Sequence, residues 1–107
     1  MSIAIKAILG GRIYTMENKQ IILDYIENDK YKFLEMSHQI HQRPELGNEE
    51  IFASRSLIEI LDGNDFEVET DIAGHATGFI ARYESALPGP TIGFLAEYDA
   101  LPGLGHA

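Results

Sequence analysis

A chain of 107 residues holds one ordinary domain or part of a larger one, and its 45% apolar residues can bury roughly two thirds of the surface an unfolded chain exposes, which argues against disorder. Seventeen acids oppose eight bases for a formal charge of −9, and the bases are scattered from Lys6 to Arg82. A nucleic-acid partner, which needs clustered Lys and Arg, is therefore disfavoured.

The chain has no cysteine, so it can form neither a disulfide nor a thiolate metal site. No apolar run approaches the roughly 18 to 20 residues that span a bilayer, and Met1–Gly11 shows no basic export leader with a sustained apolar stretch. These features give the expectation of a cytoplasmic protein with no membrane partner.

Residues 1 to 17 alternate weakly and contain Gly10-Gly11, which reads as a short extended arm or irregular leader. Gly10-Gly11 lacks the spacing of a phosphate-binding loop. From Asn18, Ile22, Ile26, Phe33, Met36 and Ile40 fall on one stripe at helical spacing, predicting a long amphipathic helix to about residue 42. Asn28-Asp29 is a place for it to split or bend. Arg43-Pro44 ends it, because the residue before proline is pushed out of the helical region.

A second helix is predicted over 48–62, with Asn48 as N-cap and Glu49 and Glu50 in the first turn, where carboxylates complement the helix dipole. Ile51, Leu57, Ile58 and Leu61 would be its buried stripe, and Gly63 its left-handed stop. Three strands are predicted next: Phe66–Thr70, Thr77–Tyr83 and Thr91–Ala96. The last is apolar at successive positions, which predicts an interior strand covered on both faces. The helix-helix-strand-strand-strand order suits an α/β domain.

Ligands of open α/β sheets bind beyond the carboxyl ends of strands, and the third predicted strand runs into Glu97-Tyr98-Asp99-Ala100-Leu101-Pro102-Gly103-Leu104-Gly105-His106. If the strand continues, Glu97 and Asp99 share a face. Two carboxylates with a nearby histidine suit a metal or acid/base site, and equally suit simple solvation of a strand end. Read as a paired-carboxylate glycosidase site, same-face neighbours about 6.5 to 7 Å apart fall between the retaining and inverting ranges. His38 and His41, at i and i+3, fit half a metal site or an interaction with the carboxyl end of the first helix. His75 reads as a loop residue.

The run Phe94 to Ala107, with its Glu-Tyr-Asp-Ala-Leu-Pro-Gly core, resembles a signature of the zinc peptidase family of aminoacylases, acetylornithine deacetylases and related carboxypeptidases. It is most similar to the aminobenzoyl-glutamate hydrolase group. Ile40-His41-Gln42-Arg43-Pro44-Glu45-Leu46-Gly47-Asn48-Glu49-Glu50 is similar to the family's first helix junction. The two matches bracket residues 18–107.

The resemblance implies an α/β fold, with residues 18–107 supplying the opening helices and strands of a mixed-sheet catalytic domain that is truncated here. It implies hydrolysis of the amide bond of an N-acyl amino acid or dipeptide, aided by two divalent ions, Zn or Mn. It further implies a homodimer formed through a lid domain that these residues lack. Asp99 matches a residue that supports the metal site, and Glu97 matches a position that binds metal in some branches. Asp99 and Glu97 are thus the candidate catalytic residues. The metal ligands proper would follow His106-Ala107, so no tightly bound metal and no activity are expected of these residues alone. The alternative reading is a stand-alone, non-catalytic interaction module derived from such an enzyme.

Overall fold

The computed structural model describes the backbone of residues 7–9, 12–14 and 17–104, and side chains from residue 19 to 104. The chain is mixed α/β, with elements in the order β1 (Ala7–Leu9), β2 (Arg12–Tyr14), α1 (Glu17–His41), α2 (Ile51–Asp62), β3 (Glu67–Ile72) and β4 (His75–Arg82). It divides into two compact units, Met1–Glu35 and Met36–Ala107. Among the described residues no helix is long and apolar enough to cross a membrane.

In the first unit β1 and β2 pair antiparallel, with Leu9 opposite Arg12 and Ile8 opposite Ile13. Helix α1 runs from Glu17 to His41, so Asn28-Asp29 does not divide it. Its apolar stripe is bare along this unit: Ile22, Ile26 and Phe33 are all exposed.

The second unit begins with the last turns of α1. There Gln42 and Arg43 donate their amides to the carbonyls of His38 and Ile40, before Pro44 stops the helical pattern. Helix α2 lies against β3 and β4, which form an antiparallel hairpin with Glu67 opposite Arg82 and Thr70 opposite Phe79. The hairpin turns at Ala73 and Gly74, whose φ angles of 52° and 82° are both left-handed. A tight turn with two positive φ angles matches the right-handed twist of the strands it joins. Glycine fills the second position without steric cost, while alanine fills the first against its preference. The register shifts between Thr70 and Ile72, and Asp71 between them also has positive φ, at 57°. Asp71 alone stands opposite Ala76, Thr77 and Gly78, so β4 carries two extra residues and bulges just after the turn.

Two details of α2 differ from expectation. Asn48 is not its N-cap: its φ is 69°, and the helix starts three residues later. Asparagine tolerates left-handed backbone, so here it turns the chain before the helix begins. Gly63 is the C-cap but stays right-handed, at φ −68°, because its amide bonds the Glu59 carbonyl at 3.1 Å and prolongs the helical pattern. The left-handed residue comes later, at Asp65.

The larger correction concerns Thr91–Ala96, which lies in no strand. The described strands pair only in antiparallel twos, and none offers this segment a ladder. Phe94 and Leu95 are 90% and 104% exposed. Successive apolar side chains need a neighbour on each edge and a cover on each face to become an interior strand, and the described residues supply neither. Burial instead centres where α2 meets β4. Ala53 at the start of α2 is the buried apolar residue among those described; the buried polar residues are Glu50 and Ser54, near it in sequence, and Thr77 on β4, which bonds Glu50.

Candidate functional site

The site grows from the helix junction at residues 44–54. The start of α2 leaves amides with no partner inside the helix. Those of Phe52 and Ala53 donate to the two carboxylate oxygens of Glu45, at 2.9 and 3.0 Å. A negative group at this end also complements the helix dipole. Glu45 is therefore committed to holding the junction, which removes it from the candidates for a free base. The Arg43 guanidinium lies 4.3 Å from the centre of the Phe52 ring, fixing the other side of the same turn.

Glu50 sits one residue before α2 and is 8% exposed. Burial of the carboxylate raises its pKa. That effect is outweighed by donation from the Thr77 hydroxyl, by the backbone amides of Glu50 and Asn48, and by the positive charge available at His75, which together hold the carboxyl below its ordinary 4.5. The Thr77 bond is short, 2.6 Å, and buried. His75 is not a loop residue: it opens β4, and its Nδ1 lies 2.6 Å from the side-chain oxygen of Asn48.

The segment that follows the bare apolar run returns to this centre at Tyr98. Its hydroxyl donates to the Thr77 carbonyl at 2.5 Å, and its ring stacks on Phe79 with centroids 6.0 Å apart and planes 23° apart. Burial and the nearby Glu50 charge push the Tyr98 phenol above its usual 10.0, against a hydrogen bond with the Ser54 side chain that lowers it. Two residues on, the Ala100 amide donates to the Glu45 carbonyl at 2.7 Å, and Leu46 and Ala100 make a parallel bridge.

Asp99 lies between these two anchors, exposed, with its Oδ2 3.9 Å from the point where a Cβ on Gly47 would stand. It shares a concavity of about 240 Å³ with His41, Pro44, Glu45 and Tyr98. Ile40 and Pro44 give this hollow an apolar side, while His41, Glu45 and Asp99 give it a polar one.

Of the two candidate catalytic residues, Asp99 faces the hollow. Glu97 is exposed, and among the described residues no hydrogen bond or ion pair reaches it. The two acids are exposed on either side of half-buried Tyr98. His41 joins the hollow, His38 is exposed on the last turns of α1, and His106 lies outside the described residues. Among the described residues no three His, Cys, Asp or Glu side chains converge on a point that would hold a metal ion. The described side chains therefore do not fit a metal pair by themselves, and no chemical step is routed through one.

No family model matches the chain. It is 33% identical over 85 residues to a p-aminobenzoyl-glutamate hydrolase subunit of Escherichia coli (strain K12), covering 79% of this chain and 17% of that protein. It is 39% identical over 83 residues to the Xaa-Arg dipeptidase of Homo sapiens, covering 67% of this chain and 19% of that protein. The chain spans less than a fifth of the length of either relative. These partial similarities support an origin in an amidohydrolase or peptidase family.

Proposed function

We propose that these residues are the opening part of a metal-dependent amidohydrolase that cleaves the amide bond of small N-acyl amino acids or dipeptides, with aminobenzoyl-glutamate as the leading candidate. In this reading they carry support for the active site rather than its metal ligands. What supports the reading is the joining of two segments far apart in sequence. Glu45-Leu46 and Ala100 are hydrogen-bonded, and Asp99 is held beside the hollow they border. Both relatives are named for hydrolysis of a bond to an amino acid. Asp99 supports the site electrostatically, and Glu97 stands beside it. The two divalent ions, zinc or manganese, take their ligands from elsewhere in the complete, cytoplasmic and homodimeric enzyme. Residues 1–107 alone are then inactive.

The test is hydrolysis of an N-acyl amino acid and dipeptide panel by the complete natural protein, supplied with zinc or manganese. Turnover that a chelator abolishes is expected. Asp99→Ala should lower it by about 10- to 100-fold, the usual cost of removing a residue that supports a metal site, while most of the bound metal persists. Absence of hydrolysis with either metal would overturn the reading. Full activity in Asp99→Ala would remove this motif from the active site.

A second reading, a non-catalytic interaction module, is favoured by the exposed apolar side chains of α1 and of Ile92, Phe94 and Leu95. A complete protein that binds a partner through these side chains and hydrolyses nothing would establish it.

A further inference from the structure

Between Arg82 and Tyr98 the chain runs through no helix or strand, and every residue from Tyr83 to Glu97 is exposed. Tyr98 is where the chain regains contact with the body of the unit, and Asp99 follows at once. The position of Asp99 thus depends on one anchor before it and one after it. The anchor after it is the backbone bond from Ala100 to Glu45. The anchor before it is a side chain: the Tyr98 phenol on the Thr77 carbonyl, with the Thr77 hydroxyl turned to buried Glu50. The ring stack on Phe79 fixes the same side chain from its face.

We infer that Tyr98 is a positioning residue, which through the Thr77–Glu50 pair holds the Glu97-Tyr98-Asp99 backbone so that both acids face outward and Asp99 stays at the hollow. The physical argument is one of leverage. An exposed carboxylate on an irregular segment samples many positions, and ordering it needs a partner whose own place is determined. Thr77 meets that need, because it lies within β4, is itself buried, and its hydroxyl bonds a buried carboxylate that backbone amides also hold. Charge-assisted bonds of this kind are stronger than neutral ones, so the Thr77 carbonyl is a firm attachment point. Tyr98 has no part in the chemistry itself. Its role is read through Asp99, and for its activity readout the inference rests on the proposed hydrolase function.

The test compares Tyr98→Phe, which keeps the ring and its stack but loses the hydroxyl, with Asp99→Asn and with the double variant, all in the complete natural protein. Tyr98→Phe should lower kcat about tenfold with KM little changed, since a modest misplacement of a supporting group costs turnover more than binding. The double variant should be no slower than Asp99→Asn alone, because the two residues act as one unit. A separate readout is amide hydrogen exchange. The Ala100 amide should exchange at least about tenfold faster in Tyr98→Phe, while the Ala53 amide inside α2 keeps its wild-type protection. An unchanged kcat, losses that multiply in the double variant, or an unchanged Ala100 exchange rate would each overturn the inference. If the complete wild-type protein hydrolyses none of the panel, the hydrolase reading falls, and the exchange experiment alone decides the role of Tyr98.

Discussion

Residues 75–82 and residues 91–96 are both apolar, β-prone stretches, and they end in different states. The first is β4, paired with β3 at His75 and from Phe79 to Arg82, with Thr77 buried and bonded to Glu50 and Phe79 stacked on Tyr98. The second is the more apolar of the two, yet its side chains meet solvent: Ile92 is 53% exposed, and Phe94 and Leu95 almost or wholly so. Apolar content therefore does not separate them. The difference lies in what the backbone can bond to. β4 follows β3 through a two-residue turn and finds its ladder locally, whereas residues 91–96 have no such neighbour among the described residues. A strand is a property of a pair, and burial follows the pairing.

The largest expected effect on stability lies on the ordered side of that comparison. Thr77→Val keeps shape but takes the hydroxyl donor from a carboxylate that is 8% exposed, and stranding a buried acceptor costs about 1 to 3 kcal/mol. In a unit with so small a buried centre, that is a large share of the typical stability of a domain. Urea unfolding of the two proteins at neutral pH checks it. A loss below a few tenths of a kcal/mol would mean that the polar centre of this unit does not hold it together.

Acid sharpens the same point. Glu50 has its pKa depressed in the folded state, so its stabilising contribution is present above its ordinary 4.5 and is lost as pH falls through the lower, folded value. In Thr77→Val the main side-chain donor is gone, and burial, the largest single influence on this group, acts with less opposition. The folded pKa then rises, and the acid-side loss at this residue shrinks or reverses. The stability gap between wild type and Thr77→Val should accordingly be widest at neutral pH and narrow below about pH 4.5. A gap independent of pH would show that Glu50 is not the group Thr77 serves.

Much of this architecture is readable from residue patterns. The apolar period marks both helices, Arg43-Pro44 marks the end of α1, and Ala73-Gly74 marks the turn between β3 and β4. What escapes such reading is the work of polar side chains across long separations. Helix starts are sought in the residue just before the first turn, which points to Asn48. The side chain that bonds the first amides of α2 is Glu45, six residues ahead of Ile51, reaching back from the preceding loop. The left-handed φ of Asn48 has a signal in its residue type, but asparagine serves caps and turns alike. Tyr98 is easily passed over because the carboxylates flanking it draw the chemical reading. In an extended segment the residue between two exposed acids turns the other way, and that signal lies in the sequence. Whether Thr91–Ala96 forms a strand is not decidable from its own residues, since the answer depends on what pairs with it.

The smallest expected effect on stability lies in that bare segment, and it is the most direct way to break the comparison. Leu95 is fully exposed, so replacing it removes no burial that the folded state gains. Leu95→Lys should leave the unfolding midpoint of this chain where it is, within about 0.5 kcal/mol, as for surface substitutions away from any packed feature. Its effect should emerge in association instead. An exposed apolar run with unpaired backbone is a template for pairing with another chain, and one charge in its middle opposes that stacking. Light scattering during heating should therefore show aggregation beginning at a higher temperature in Leu95→Lys, with the circular dichroism midpoint unmoved. A loss of about 1.5 kcal/mol or more, the scale of a packed side chain, would mean that Leu95 is buried in the folded chain. The contrast with β4 would then be one of degree, since both stretches would bury apolar surface.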